Sequence, residues 1–151
     1  MTKILMVCLG NICRSPLAEG ILKSKLPEDR FLVDSAGTSN YHIGALPDRR
    51  SIEVATHHDI DITSQRGRQF IISDFDVFDY IYVMDSSNYH DIIGLSRNPK
   101  DKDKVKLILQ EVPDNVMFDV PDPYYGGDRG FENVYQMLDV ACSEIAKKLI
   151  Y

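Results

Sequence analysis

The sequence has little cysteine, no long apolar run and no excess of basic charge, and each shortage removes a class of protein. Its three cysteines, Cys8, Cys13 and Cys142, are odd in number and irregular in spacing, which rules out a disulfide framework. Cys8 and Cys13 alone cannot complete a zinc or iron–sulfur site. No third Cys or His lies nearby in sequence, and Cys142 sits in a different pattern, so neither a metal nor another cofactor is expected. The apolar start Ile4-Leu5-Met6-Val7 is too short for a signal peptide or a membrane span, which makes the cytoplasm the expected compartment. Lys and Arg number 17 against 23 Asp and Glu, a net charge of −6, so nucleic acid and anionic membrane are disfavoured as main partners. Gly-Lys-Ser and Gly-Lys-Thr are absent, which argues against a P-loop nucleotidase. There is no internal repeat or low-complexity segment, and 151 residues fit one domain, residues 1–151.

What the chain does have is Val7-Cys8-Leu9-Gly10-Asn11-Ile12-Cys13-Arg14-Ser15-Pro16. It lies between the apolar run Ile4 to Val7, which reads as a buried strand, and a helical pattern from Leu17 to Leu26. Helix N-termini offer unpaired N–H groups and the positive end of the helix dipole, so strand, tight loop and helix start make an anion site. Pro16 suits the first helical position, where its missing N–H is not needed. Gly10 and Asn11 take unusual φ/ψ most readily, letting the loop curl until its N–H groups converge. Cys8 opens the loop and Arg14 closes it. This spacing sets a sulfur beneath a bound phosphate and a guanidinium beside it, able to hold two oxygens at once. The nucleophile must be a thiolate; the inward amides, the dipole and Arg14 are what should lower its pKa, and Ser15 could donate to the same sulfur.

This segment closely resembles the signature of the low-molecular-weight protein tyrosine phosphatases, and the resemblance extends through Asp34-Ser35-Ala36-Gly37-Thr38 and Asp122-Pro123-Tyr124-Tyr125-Gly126-Gly127. It implies a three-layer α/β sandwich: a four-stranded parallel sheet with helices on both faces and a phosphate-binding loop, Leu9 to Ser15, after the first strand. It also implies hydrolysis of phosphotyrosyl and small aryl phosphate esters through a phosphocysteine on Cys8, with Arg14 holding the phosphate. Asp122 becomes the acid that protonates the leaving phenolate, whose conjugate acid has a pKa of about 10. Ile12, Tyr41, Tyr124 and Tyr125 form the substrate pocket, deep enough to select phosphotyrosine over phosphoserine. Asn11, Ser15 and Ser35 match the family's supporting residues, and Asp85 matches a Met-Asp pair that either orients a neighbour or caps a helix. A histidine often seen further on is replaced by Gln65. The expected partners are phosphotyrosine-containing proteins, with inorganic phosphate as product and inhibitor, and the chain is expected to be a monomer or weak dimer.

Along the rest of the chain, Phe31 to Asp34 reads as a second strand ending in small loop residues, and Asp48 to His58 as a second helix. Ser64 to Gln69 is basic and irregular, its arginines expected on solvated surface. Phe75 and Phe78 suggest a short helical piece, and Tyr80 to Met84 a central strand. Asp85 offers a cap for a helix through Ile93. Arg97 to Lys104 reads as a charged turn, Val105 to Leu109 as the last strand, and Phe131 onward as an amphipathic helix with Cys142 on its apolar stripe. Strands alternating with helices argue for parallel pairing, with ligands beyond the strand C-termini. Cys13, one residue before Arg14, is a candidate redox partner for Cys8 once the loop curls. Three other readings share parts of the pattern. An arsenate reductase needs a further cysteine pair where this chain has only Cys142. A thioredoxin-like protein needs Cys-x-x-Cys, and the phosphoarginine phosphatases place a threonine where this chain has Ile12.

Overall fold

The strand β1 (Thr2–Cys8) is the axis of the molecule. The computed structural model describes residues 1–125 and 127–151, with Tyr125 and Asp128 described by their backbone alone. Ile4 to Val7 are apolar without alternation, as in a strand covered on both faces, and all four are fully buried. β1 pairs in parallel with β2 (Phe31–Gly37) on one side and β3 (Tyr80–Val83) on the other, and β3 pairs with β4 (Val105–Leu107), giving the order β2-β1-β3-β4. Cys8 stands opposite Gly37 and Val7 opposite Val83, so three strands end together. The order reverses direction at β1, and that reversal opens a crevice beyond the strand ends where ligands bind in such sheets.

Alternate residues of β1 divide between two cores. Ile4, Met6 and Cys8 face α1 (Arg14–Lys25) and α6 (Gly130–Ile150), while Leu5 and Val7 face Phe70, Phe75 and Ile92 around α3 (Asp74–Val77) and α4 (Ser86–Ile93). Helices therefore cover both sides of the sheet. α2 (Arg49–His57) packs against α1 and α6, with Asp48 as its cap, and His58 stacks on Tyr135 at 3.8 Å while bonding Glu132 on the same helix. Cys142 is fully buried on α6 facing Ala18 of α1, as its place on the apolar stripe implied. No helix among the described residues is long and apolar enough to cross a membrane.

The element boundaries differ from the sequence expectation where pairing overrides propensity. β2 runs three residues beyond Asp34, because Ser35, Ala36 and Gly37 continue the ladder against β1. α1 starts at Arg14 rather than at Leu17, which makes Pro16 its third residue; that position needs no N–H either. The charged turn around residue 100 holds the short helix α5 (Pro99–Asp103), started by Asn98 accepting from the Asp101 N–H at 2.9 Å. β4 stops at Leu107, and Ile108–Glu111 turn as a 3₁₀ helix.

Leu138 is fully buried on α6, whereas Val140 on the same helix is 49% exposed. Urea unfolding should show Leu138→Ala losing about 2–5 kcal/mol and Val140→Ala within about 0.5 kcal/mol of wild type. Similar losses in both would mean that α6 does not hold the core by this face.

Candidate active site

The loop after β1 is shaped from outside by donors that take its carbonyls. The Thr38 N–H donates to Cys8 O at 2.9 Å, Ser39 N–H and Oγ to Leu9 O at 3.0 and 2.9 Å, and Asp48 N–H to Ile12 O at 2.7 Å. These bonds take the carbonyls of Cys8, Leu9 and Ile12 and leave the loop N–H groups to other partners, as a nest that favours an anion requires. The Asn11 N–H donates to Cys8 Sγ at 3.3 Å. Gly37 permits this approach: a Cβ there would lie 2.8 Å from Leu9 O. Cys13, the residue before α1, makes no side-chain cap bond to its first turn, which begins at the end of the same loop.

Asn11 fixes the curl. Its φ of 58° lies in the left-handed region that asparagine tolerates better than most residues, and it is 2% exposed. The Arg68 N–H donates to its Oδ1 at 3.0 Å, which settles the orientation of the amide, so both Nδ2 protons go to Ser15 Oγ at 2.8 Å and Ser35 Oγ at 2.9 Å. Ser35 passes its own proton to Glu19 Oε1 at 2.7 Å. Ser15, accepting from Asn11, keeps its own proton available for Cys8 Sγ, with which it shares a hydrogen bond at 3.0 Å, the hydrogen bond a thiolate at Cys8 would receive. Burial pushes the Glu19 carboxyl up, against the Lys23 and Ser35 hydrogen bonds that lower it.

Arg14, the first residue of α1, is 6% exposed. Its Nη1 donates to Asp85 Oδ2 at 2.6 Å and to Val120 O at 2.9 Å. Among the described residues its Nε and Nη2 make no hydrogen bond, so one edge is anchored and the other is free to take two oxygens of a phosphate. Asp85 both caps and orients: its Oδ1 accepts from the Asn88 N–H at 2.8 Å to start α4 while Oδ2 holds Arg14. The Asp122 segment is tied to the same sheet end, since the Val120 N–H donates to Met84 O and Asp119 accepts from Ser86.

These parts enclose a cleft of about 250 Å³. Cys8 and Arg14, both buried, line it together with the half-buried Ile12 and Asp122 and the exposed Tyr41 and Tyr124. Asp122 Oδ1 accepts the Tyr124 N–H at 2.9 Å. The Tyr124 hydroxyl donates to Asp48 Oδ2 at 2.7 Å, and burial together with that carboxylate pushes the phenol up. Burial raises the Asp48 carboxyl, but the Arg50 and Tyr124 hydrogen bonds more than offset it and leave Asp48 below its ordinary value. Burial, with Asp48 and Cys8 adding, pushes the Cys13 thiol up to about 12.

The structure brings together Cys8, Leu9, Gly10, Ile12, Cys13, Arg14, Tyr41, Asp122 and Tyr124 around this cleft, with Asn11, Ser15, Ser35 and Asp85 behind it. The Tyr125 side chain lies outside the described residues. One sequence expectation needs correction. Arg68 is not solvated surface: its guanidinium bridges Asp34 and Asp74 while its backbone holds Asn11. Gln65 does not reach Asn11; its Nε2 donates to Pro16 O at 3.1 Å. Sequence reasoning missed His42, which lines the cleft against Gly10, as well as Glu19 and Asp48. Of these, only Asp48 carried a signal, as a helix cap after Pro47.

A strand-to-helix loop that curls over a cysteine sulfur and gives it the Asn11 N–H, with an arginine at its end and a carboxyl lining the same cleft, defines a class of cysteine-based phosphate-ester sites. The model of the low molecular weight phosphotyrosine protein phosphatase family matches residues 3–150, and the chain belongs to that family and so to the protein-tyrosine-phosphatases. It is 40% identical over 150 residues to the human low molecular weight phosphotyrosine protein phosphatase, covering 96% of this chain and 94% of that one. A protein tyrosine phosphatase from Entamoeba histolytica superposes with a TM-score of 0.92 at 36% identity over 99% of this chain and 97% of that one. A Drosophila arginine phosphatase does so with a TM-score of 0.90 at 30% identity, over 99% of each chain.

Asn11→Ala removes the amide that links Ser15, Ser35 and Arg68 and leaves alanine at a positive φ. Its phosphatase activity should fall by about tenfold or more while its unfolding midpoint drops, since a left-handed non-glycine residue costs about 1–2 kcal/mol without such support. Activity within twofold of wild type would show that the loop keeps its curl without this residue.

Proposed function

We propose that the protein hydrolyses phosphotyrosyl esters of proteins and small aryl phosphates in two steps. Cys8 attacks phosphorus in line with the ester oxygen, while Arg14 and the loop N–H groups of residues 9–15 hold the three equatorial oxygens. Asp122 gives its proton to the departing phenolate oxygen, so a tyrosyl hydroxyl leaves neutral and phosphorus stays bound to sulfur. Asp122, now a carboxylate, takes a proton from a water that attacks the phosphocysteine, and inorganic phosphate departs as the Cys8 thiolate re-forms. Ser15, donating to the sulfur, steadies that thiolate as nucleophile and as leaving group. Tyr41 and Tyr124 at the cleft mouth flank the ring, and apolar Ile12 meets it within. Ile12 also favours a phenyl ring over a guanidinium in the same slot, which ranks phosphotyrosine above phosphoarginine as substrate.

The observation that carries this reading is the position of Asp122 in the same cleft as a Cys8 sulfur that receives hydrogen bonds from Asn11 and Ser15. Wild type should release phosphate from phosphotyrosine far faster than from phosphoarginine with no metal added, and Cys8→Ser should release none. Asp122→Asn should slow phenyl phosphate by about 10²–10⁴-fold and p-nitrophenyl phosphate, whose leaving group needs less protonation, much less. Equal losses on the two esters would remove Asp122 from the acid role.

Cys13 serves in this reading as the redox partner of Cys8. Peroxide oxidises the Cys8 thiolate to a sulfenic acid, releasing hydroxide; Cys13, protonated at rest with its pKa at about 12, attacks that sulfur as its proton passes to the departing hydroxide, forming a disulfide with loss of water. After peroxide and then dithiothreitol, wild type should recover most of its activity and Cys13→Ser little, with a Cys8–Cys13 cross-linked peptide in the oxidised wild type. Equal recovery in both proteins, without that peptide, would show that Cys13 gives no protection.

A further inference from the structure

The acid and one pocket wall sit on the same short segment, and the contacts that hold Tyr124 come from the helix on the other side of the cleft. Tyr124 is 47% exposed, so burial alone does not fix its ring. Its hydroxyl donates to Asp48 Oδ2 at 2.7 Å, and its ring lies beneath the Arg50 guanidinium, 4.4 Å from the centroid. That guanidinium also lies 4.6 Å from the Phe131 ring, which meets Tyr124 edge-on at 6.1 Å. Arg50 in turn donates through Nε and Nη2 to the two oxygens of Asp48, at 3.1 and 3.2 Å.

Asp48 touches both halves of the site. Its N–H donates to Ile12 O in the phosphate loop at 2.7 Å, and its carboxylate holds Tyr124, whose own N–H donates to Asp122 Oδ1 at 2.9 Å. An unbroken run of hydrogen bonds thus leads from the loop that carries the nucleophile to the carboxyl of the acid. From this connection we infer that Asp48 and Arg50 are positioning residues that clamp Tyr124 and so set the placement of Asp122 over Cys8. The inference rests on the proposed acid role of Asp122. Neither residue touches the reacting atoms; both act through Tyr124. The clamp needs an anion that accepts from two partners at once and a planar cation that stacks while donating, requirements that asparagine and lysine do not meet together.

The test uses Asp48→Asn, which keeps a good helix cap, Arg50→Lys, Tyr124→Phe and the double variant Asp48→Asn/Tyr124→Phe. Thermal melts first establish that each is folded, and kcat/KM is then measured for phenyl phosphate and p-nitrophenyl phosphate. Each single variant should lose roughly tenfold on phenyl phosphate and about threefold or less on p-nitrophenyl phosphate, the loss expected for one charge-assisted contact. The double variant should be no worse than the poorer single, because both changes remove one hydrogen bond. Equal losses on the two esters, or an additive double variant, would overturn the inference. Failure of the acid role itself is read separately, from Asp122→Asn losing equally on both esters.

Discussion

The catalytic end of this protein depends on one side-chain amide. A loop that turns its N–H groups inward must pass through a conformation that most residues resist, and Asn11 occupies it at φ 58°. The amide is satisfied on every side: Arg68 supplies the donor to its oxygen, and Ser15 and Ser35 take its two protons. The amide sets the direction of its own hydrogen bonds, and through Ser35 and Ser15 the network reaches Glu19 on one branch and the Cys8 sulfur on the other. A buried polar network of this kind is costly when half satisfied and rigid when complete. Its completeness is what lets a strained backbone persist.

The sheet supplies the place for that network. β1 is buried on both faces, so its end is held by neighbours on all sides, and the reversal of strand order puts β2 on one flank and β3 on the other. From β2 comes Ser35, beneath Asn11; from the end of β3 comes Asp85, against Arg14. Asp85 divides its two oxygens between the start of α4 and the guanidinium, so the orientation of Arg14 is referred to a helix end rather than to a mobile side chain. The fold thus brings Cys8 from β1, Arg14 from α1 and the Asp122 segment, tied to Met84 through Val120, to one end of the sheet.

Much of this was legible in the sequence, because the signals were local. The run from Val7 to Pro16 contains its strand end, its left-handed residue, its loop cysteine and its arginine within ten positions, and β1 and α6 declare themselves by apolar pattern. What could not be read were partnerships between distant residues of ordinary type. Arg68 sits in a basic stretch that looks solvated; only the parallel bridge between Gly37 and Gln69 carries it against Asp34, Asp74 and Asn11. Asp48 looks like a cap, and is one, but its second oxygen meets a tyrosine 76 residues away. Gln65, where the family often has a histidine, carried no role in the sequence, and its side chain goes to Pro16 O.

Gly130 opens α6 at a point where a Cβ would lie 2.4 Å from Pro123 O, so the acid segment rests directly on the end of the longest helix. That helix lies along α1, and α1 begins at Arg14 beside the nucleophile. The gap between the Asp122 segment and the Cys8 sulfur is therefore measured across the body of a helix pair, as jaws are set by the rivet joining their handles. Side chains between α1 and α6, far from any substrate, belong to the geometry of the reaction as much as to the core. Natural variation there would tune the rate without altering a single residue that the substrate meets.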